Sequence, residues 1–158
     1  MRETSVPWSF RRSRPDDTGQ MYAVWYASVL ATHGFLAPAD LREICEIVRL
    51  DYLPHNKALV AVDGTDRVIG FMEHAEGEIA GLFIAPEHYA KGLGRAFIDH
   101  AAAIWGSIRV KVNTQNSQAV GFYQAVRFET YAASPTDEEG RSYPLLLMGR
   151  PADESARP

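Results

Sequence analysis

The sequence predicts an α/β protein in which a mixed sheet carries helices on both faces. Two patterns predict this class: apolar runs with the alternation of strands, and segments whose apolar residues recur every three or four positions. They follow one another in the order β-α-α-β-β-β-α-β-α-β-β. With 158 residues, the chain suits one domain, which we expect at 1–150, followed by a flexible tail at 151–158.

The first half of the chain is predicted to form a strand, two helices and a hairpin. A strand at 8–12 precedes a helix capped by Asp16, and Pro38 begins a second helix that ends near Leu50. The first helix is predicted from a buried stripe of Met21, Val24, Trp25 and Val29. Strands at 58–62 and 68–72 flank the turn at Asp63 and Gly64.

The second half alternates strands and helices. We expect strands at 78–84, 108–112, 128–133 and 145–148. A helix begins across Gly92 and Gly94, and its predicted apolar face consists of Leu93, Ala96, Phe97, Ala101, Ile104 and Trp105. A last helix, capped by Asn116 or Ser117, carries Ala119, Phe122, Tyr123 and Val126 on one side.

Composition and charge exclude several classes of function. A net charge of −4 argues against an obligatory nucleic-acid partner, which would need a clustered basic surface. No apolar run reaches the length of about 20 residues that a membrane span requires, and we expect no secretion signal. The single cysteine, Cys45, cannot form an internal disulfide, which fits the cytoplasm. The histidines show no metal-ligand spacing, so we expect no metal.

The segment 82–95 has the composition of an anion site. An apolar strand ends before Pro86, and a helix begins across Gly92 and Gly94, where free backbone N–H groups and the helix dipole favour a phosphate. The spacing does not fit a Walker loop, and Phe97 occupies the third position of a dinucleotide fingerprint, where a small residue is needed. Alternatively, the glycines only allow a tight turn between strand and helix.

Two motifs, at 89–94 and at 113–128, follow one another in the order found in the GNAT superfamily of acyl-CoA-dependent N-acetyltransferases, which the chain resembles. Segment 89–94 resembles its signature Q/R-x-x-G-x-G/A, with Tyr89 in place of Gln or Arg. Segment 113–128 resembles its C-terminal motif N-x-x-A-x-x-F/L-Y-x-x-x-G-F, with Arg127 in place of glycine. Segments 31–36 and 137–147 are most similar to small bacterial members, and the resemblance extends from about residue 11 to residue 148.

The resemblance implies a sheet that is mostly antiparallel and splayed at a central parallel pair, and acetyl-CoA as cosubstrate. The implied cofactor-binding residues are Leu82, Phe83, Ile84, Tyr89, Ala90, Lys91, Gly92, Leu93, Gly94, Arg95 and Asn116. The acceptor would be a primary amine of a small molecule, a peptide or a protein, attacking the acetyl group directly in a ternary complex. A homodimer is a further expectation. The alternative is a non-catalytic acyl-CoA-binding module with the same fold.

The resemblance also implies roles for individual side chains. Tyr123 matches the general acid that protonates the coenzyme A sulfur, although it also suits a core position. Glu78 is the first candidate for the base, because some family members have a catalytic carboxylate four residues before the position of Leu82, and strand alternation places Glu78 on the same face as Leu82 and Ile84. A water chain is the alternative to a single base. The expected acceptor-side residues are Glu73 and His74, which are the reserve candidates for the base, and His33 and Phe35.

Overall fold

In the computed structural model, which describes residues 7–153, seven strands form one sheet in the order β1-β2-β3-β4-β5-β7-β6. The strands are β1 (Ser9–Arg12), β2 (Leu59–Val62), β3 (Val68–Ala75), β4 (Glu78–Ile84), β5 (Ile108–Asn113), β6 (Glu129–Ser134) and β7 (Leu145–Arg150). The helices are α1 (Thr18–Thr32), α2 (Pro38–Ile47), α3 (Leu53–His55), α4 (Leu93–Trp105) and α5 (Ser117–Ala125). Neighbouring strands are antiparallel except β4 and β5, which are parallel. The predicted fold class is confirmed.

Each face of the sheet has its own hydrophobic core. On the side that we call the α4 face, helices α4 and α5 cover a cluster that includes Phe97, Ile98, Met72 and Tyr123. On the opposite side, the α1 face, the first three helices cover a second cluster around Phe71. Helices on both faces therefore enclose the centre of the sheet, which positions the ends of β4 and β5 between the two layers.

Strand β4 contains a bulge that reverses its alternation. Ile79 pairs with His74 and Gly81 pairs with Glu73, so Ala80 is an extra residue with no partner on β3. Because of this extra residue, Ile79 packs into the α4-face core together with Leu82 and Ile84. Glu78 therefore lies on the α1 face, and the prediction that it shares a face with Leu82 and Ile84 is wrong.

The parallel strands separate just beyond the bulge. Within the described residues, β4 and β5 pair only at Glu78 with Arg109 and at Ile79 with Val110. From Gly81 onward β4 is paired on its β3 side alone, while β5 continues in register with β7. This divergence is the predicted splay, and it opens a gap in the middle of the sheet.

Two helical segments differ from the prediction. The helix that begins at Pro38 continues past Leu50, through a π-helical turn at Val48–Tyr52 into α3, because Val48 and Leu53 are both buried in the α1-face core. Asp16 does not cap α1. Asp17 is the buried residue at that turn, where its carboxylate accepts a hydrogen bond from the Arg14 N–H.

The apolar face of α4 is shorter than predicted. Ile104 and Trp105 are 53% and 40% exposed, and neither belongs to the core cluster that α4 covers. No helix within residues 7–153 combines the length and hydropathy needed to cross a membrane. Most of the tail expected at 151–158 lies outside the described residues, so it stays a prediction.

Candidate active site

A cleft of about 410 Å³ lies against the end of β4, beyond the point where β5 diverges from it. Residues from the predicted cofactor site form much of its wall: Leu82, Phe83, Ile84, Tyr89, Ala90, Gly92, Gly94, Arg95 and Asn116. Its further lining residues come from α1, from the turn after β4 and from α5: Ser28, Thr32, His33, His88, Gln118, Ala119, Phe122, Tyr123, Ala125 and Val126. The volume falls in the range of small-molecule sites, which is about 300–1,000 Å³.

The two glycines at the start of α4 have different structural roles. Gly92 has a φ of +87° and precedes the helix, and a Cβ at this position would meet nothing within 4 Å, so the backbone here is open to a ligand. A Cβ at Gly94 would lie 2.8 Å from the Phe122 ring. Gly94 is therefore small because α4 packs against α5, and since it also lines the cleft its predicted role in cofactor binding stays a prediction.

Arg95 provides a positive charge at the end of the cleft that lies beside the N-terminus of α4. Lys91 is exposed and does not line the cleft, and Leu93 is a core residue that is 1% exposed. The free backbone N–H groups of the first helical turn and the Arg95 guanidinium together favour a phosphate group. Of the predicted cofactor-binding residues, Lys91 and Leu93 thus do not line the cleft.

Tyr89 connects the two sides of the cleft. Its hydroxyl lies 3.2 Å from the hydroxyl of Ser28 on α1, within hydrogen-bonding distance. The aromatic ring replaces the polar side chain that the signature motif has at this position, and its polar atom is directed to α1. Ser28 and Tyr89 therefore join the turn after β4 to the opposite wall.

Helix α5 provides both a cap and a buried phenol. The Asn116 side chain accepts a hydrogen bond from the Ala119 N–H at 3.1 Å and also lines the cleft, so its two predicted roles are compatible. Tyr123 is 6% exposed and reaches the cleft between the rings of Phe122 and Phe128. Burial raises the pKa of Tyr123, so the phenol holds its proton at neutral pH and can act as a donor.

The comparisons with known proteins agree with this geometry. A family model for the acetyltransferase (GNAT) domain matches residues 54–130. The peptidyl-lysine N-acetyltransferase YjaB of Escherichia coli is 39% identical over 140 residues, which cover 89% of this chain and 95% of that protein. The chain belongs to the GNAT acetyltransferases. The predicted family and the predicted acetyltransferase activity are thereby confirmed.

Solved structures show the same fold for this acetyltransferase. The solution structure of apo YjaB from Escherichia coli has a TM-score of 0.88 at 36% identity, and the match covers 94% of this chain and 100% of that chain. PaiA N-acetyltransferase from Thermoplasma acidophilum, solved in complex with coenzyme A, has a TM-score of 0.74 at 20% identity, with 92% and 99% covered. At that lower identity the likeness concerns the fold.

The expected acceptor-side residues of the loop after α1 separate into two positions. His33 lines the cleft, its Nδ1 lies 2.7 Å from the Thr32 hydroxyl, and burial lowers the pKa of its imidazole. Phe35 does not line the cleft in this acetyltransferase. Its ring packs between His33 and Tyr143, at centroid distances of 5.2 Å and 6.0 Å.

Glu73, His74 and Glu78 do not line the cleft. His74 lies on the α4 face, where the Trp105 indole donates to its Nδ1 at 2.8 Å, so it faces away from the neighbouring Glu73. Glu78 lies on the α1 face, and its carboxylate oxygens are 3.9 Å from Arg109 and 3.8 Å from Lys111. The catalytic role of Glu78 therefore stays a prediction without support from its position.

Several lining residues were missed by sequence reasoning. Ser28 and Thr32 continue the stripe of Met21 and Val24 along α1 at helical spacing, so a buried stripe that becomes polar at its end was the available signal. His88, in the turn after β4, had no comparable signal. Among residues 7–153, no three histidine, cysteine or acidic side chains come together as a metal site, and the absence of a metal stays a prediction.

Proposed function

We propose that this acetyltransferase moves the acetyl group of acetyl-CoA to the side-chain amine of a lysine in a peptide or protein. The observation that carries the proposal is the splay of β4 from β5, with the α4 N-terminus at one end of the cleft and Tyr123 within it. Similarity to YjaB, named a peptidyl-lysine N-acetyltransferase, supports lysine as the acceptor class.

The residues that line the cleft suit the parts of acetyl-CoA. Gly92 and Arg95 at the start of α4 bind the pyrophosphate through backbone N–H groups and positive charge. The β4 backbone at Leu82 to Ile84, which β5 leaves unpaired, provides hydrogen-bonding groups for the pantetheine arm and the acetyl oxygen. Asn116 lies near the same path and contributes an amide.

The chemistry requires proton transfer at two atoms. A lysine ammonium, with an ordinary pKa near 10.4, must lose a proton before its nitrogen attacks the acetyl carbon. The departing thiolate must gain one, and Tyr123 is the proposed donor, since its raised pKa keeps the phenol protonated. Attack is direct, in a ternary complex, so no acyl-enzyme forms.

The test of cofactor binding is thermal unfolding with acetyl-CoA, coenzyme A or NAD added separately. A ligand at about 100 times its dissociation constant stabilises the folded state by about 2.7 kcal/mol, which raises the midpoint by several degrees. Acetyl-CoA should give this shift and NAD should not. An equal shift with NAD would contradict the assignment.

The test of catalysis is Tyr123→Phe, assayed by thiol release with a panel of lysine peptides and small amines. We expect turnover to fall by about 10²-fold or more, while the acetyl-CoA thermal shift remains. Tyr143→Phe is the matched control, because that phenol contacts Asp40 and Phe35 outside the cleft. Turnover of small amines but of no peptide would overturn the acceptor class.

We further propose that the enzyme acts in the cytoplasm of a bacterium, since the relative cited above is bacterial and acetyl-CoA is a cytoplasmic metabolite there. A homodimer stays a prediction, and analytical ultracentrifugation would test it.

A further inference from the structure

A second cavity, of about 260 Å³, lies on the α4 face and has no lining residue in common with the cleft. Leu59 and Met72 give it an apolar side that is continuous with the α4-face core. Among residues 7–153, no aspartate or glutamate lines it, although the net charge of the chain is −4. We call it the basic pocket because four basic side chains line it: Arg12, Lys57, His74 and His100.

The backbone holds Arg12 and Lys57 beside the basic pocket. Arg12 at the end of β1 pairs with Leu59 of β2. Next to this pair, the Ser13 N–H donates to the Ala58 carbonyl at 2.8 Å, and the Ala58 N–H donates to the Ser13 hydroxyl at 2.9 Å. Arg12 and Lys57 directly precede the two residues that these bonds join. Two like charges are therefore held at one cavity, an arrangement that a bound anion stabilises.

Neither of these two cations has a carboxylate partner within residues 7–153. The arginines on either side of Arg12 along the chain differ in this respect. Arg11 and Arg14 form ion pairs with Asp66, at 3.0 Å and 3.3 Å. The positive charges of Arg12 and Lys57 are thus available to a ligand, whereas those of their neighbours are already compensated by the protein.

The two histidines add N–H donors from β3 and from α4. The Trp105 indole donates to Nδ1 of His74 at 2.8 Å, so the neutral imidazole carries its proton on Nε2, which is a donor. The rings of His74 and His100 are 6.3 Å apart, and Phe10 packs against His100 at 5.8 Å. Burial lowers the pKa of His74, and the charge of His100 lowers it further. A bound anion removes this repulsion and favours protonation of both rings.

We propose that the basic pocket binds a small organic molecule through its phosphate group. The donors come from four segments of the chain, which suits the several terminal oxygens of a tetrahedral phosphate better than the two oxygens of a planar carboxylate. The volume of about 260 Å³ leaves room for more than the phosphate, and Leu59 and Met72 then contact the organic part. This site is independent of the acetyl transfer proposed above.

The test is titration calorimetry with sulfate and with phenyl phosphate, at constant ionic strength and with coenzyme A filling the cleft. Sulfate keeps its charge at all pH values used, whereas a phosphate ester gains a proton near pH 6. At about pH 8, where both probes are dianions, each should bind, and phenyl phosphate should bind about threefold or more tighter because it also covers the apolar side. Equal affinities would overturn the assignment to an organic phosphate.

Variants locate the binding site. Arg12→Gln and Lys57→Gln should each weaken the binding of both probes by about tenfold or more, because each removes a charged donor. The matched control is Arg42→Gln, which removes an exposed arginine of α2 outside the basic pocket and should change binding by less than about twofold. An unchanged affinity in Arg12→Gln, or an equal loss in Arg42→Gln, would overturn the proposal.

A pH series with sulfate tests the histidines. Arg12 and Lys57 stay charged throughout, whereas His74 and His100 gain protons as the pH falls. Affinity should therefore rise by about threefold or more between about pH 8 and about pH 5.5. His100→Gln should reduce this rise, and His55→Gln, at an exposed histidine outside the basic pocket, should not. An affinity that does not depend on pH would contradict the role of the imidazoles.

The two proposals fail separately. Sulfate that no longer binds once coenzyme A fills the cleft would overturn the basic pocket and leave the acetyl-CoA site intact. A protein that binds no coenzyme A would overturn the proposed function alone, since the variants of Arg12 and Lys57 lie outside the cleft and still report the basic pocket.

Discussion

The backbone N–H of Phe128 donates to the carbonyl of Tyr123 at 2.9 Å, and the two rings pack with their centroids 5.1 Å apart. Together with the bond from the Arg127 N–H to the Gln124 carbonyl, at 3.0 Å, this ends α5 in a Schellman motif. The turn that stops the helix thus also holds the proposed acid in place. Arg127 lies at its left-handed position, with a φ of +75°.

We expect Arg127→Gly to stabilise the protein. A residue other than glycine in the left-handed region costs about 1 kcal/mol or more of folded-state strain. We expect the free energy gained by relieving this strain to exceed the free-energy cost of the extra conformational entropy that glycine gives the unfolded chain. The change also removes a positive charge near the buried Arg150. Burial is the main cause that lowers the pKa of Arg150, and the charge of Arg127 is the next. Urea unfolding should show a gain of about 0.5–1 kcal/mol. Arg127→Ala, which removes the charge and keeps the strain, should gain less, and an equal gain would refute the backbone explanation.

Gly94→Ala should destabilise the fold and narrow the cleft. The new methyl group would overlap the Phe122 ring, at 2.8 Å, and overpacking of this kind costs about 1–3 kcal/mol. Displacement of Phe122 towards the cleft should also weaken acetyl-CoA binding, as titration calorimetry would measure. The control is Gly121→Ala on α5, where a Cβ meets nothing within 4 Å and alanine should add about 0.5–1 kcal/mol of stability. Equal effects of the two changes would contradict this packing.

Asp17→Asn should reduce stability in a pH-dependent way. Hydrogen bonds from Arg11, at 2.7 Å and 3.0 Å, are the main cause that lowers the pKa of this buried carboxyl. A lowered folded-state pKa means that the stabilisation is complete above the unfolded value of about 3.9 and is lost as the pH falls through the folded value. At pH 7 the variant should lose about 2 kcal/mol of unfolding free energy. The difference in unfolding free energy between the variant and wild type should shrink below about pH 4. As a control, Asp16→Asn, at the exposed neighbouring position, should change the unfolding free energy little. A loss of stability that does not depend on pH would exclude the ion pair between Arg11 and Asp17 as its source.

Tyr89→Phe should affect stability more than cofactor binding. Its hydroxyl is within hydrogen-bonding distance of Ser28, so the change removes one contact between the turn after β4 and α1, worth about 1 kcal/mol. The ring that lines the cleft is retained, and the KM for acetyl-CoA should rise by less than about threefold. Ser28→Ala should match it in both measurements. A tenfold rise in KM for Tyr89→Phe alone would mean that the hydroxyl binds acetyl-CoA.

Much of the fold and of the cofactor site could be predicted because their signals are local. Apolar periodicity located the strands and helices, and the glycines of 89–94 and the motif at 113–128 marked the cleft on both sides. The helical period predicted that Asn116 and Tyr123 belong to one helix, whereas their roles follow from the resemblance of segment 113–128 to the family motif. Such patterns depend on backbone preferences of neighbouring residues, which the sequence states directly.

The acceptor side was decided by the tertiary structure. One extra residue at Ala80 moved Glu78 away from the face that alternation predicts, and pairing with β3 is what reveals it. Likewise, Gly94 is small because of Phe122, which is 28 positions away in the chain, and within residues 7–153 the Oε1 of Glu73 has no hydrogen-bond partner. The sequence by itself determined the strands, the helices and the cofactor motif. The register between strands and the desolvation of a carboxyl group depend on residues that are distant in the chain, and only folding brings those residues together.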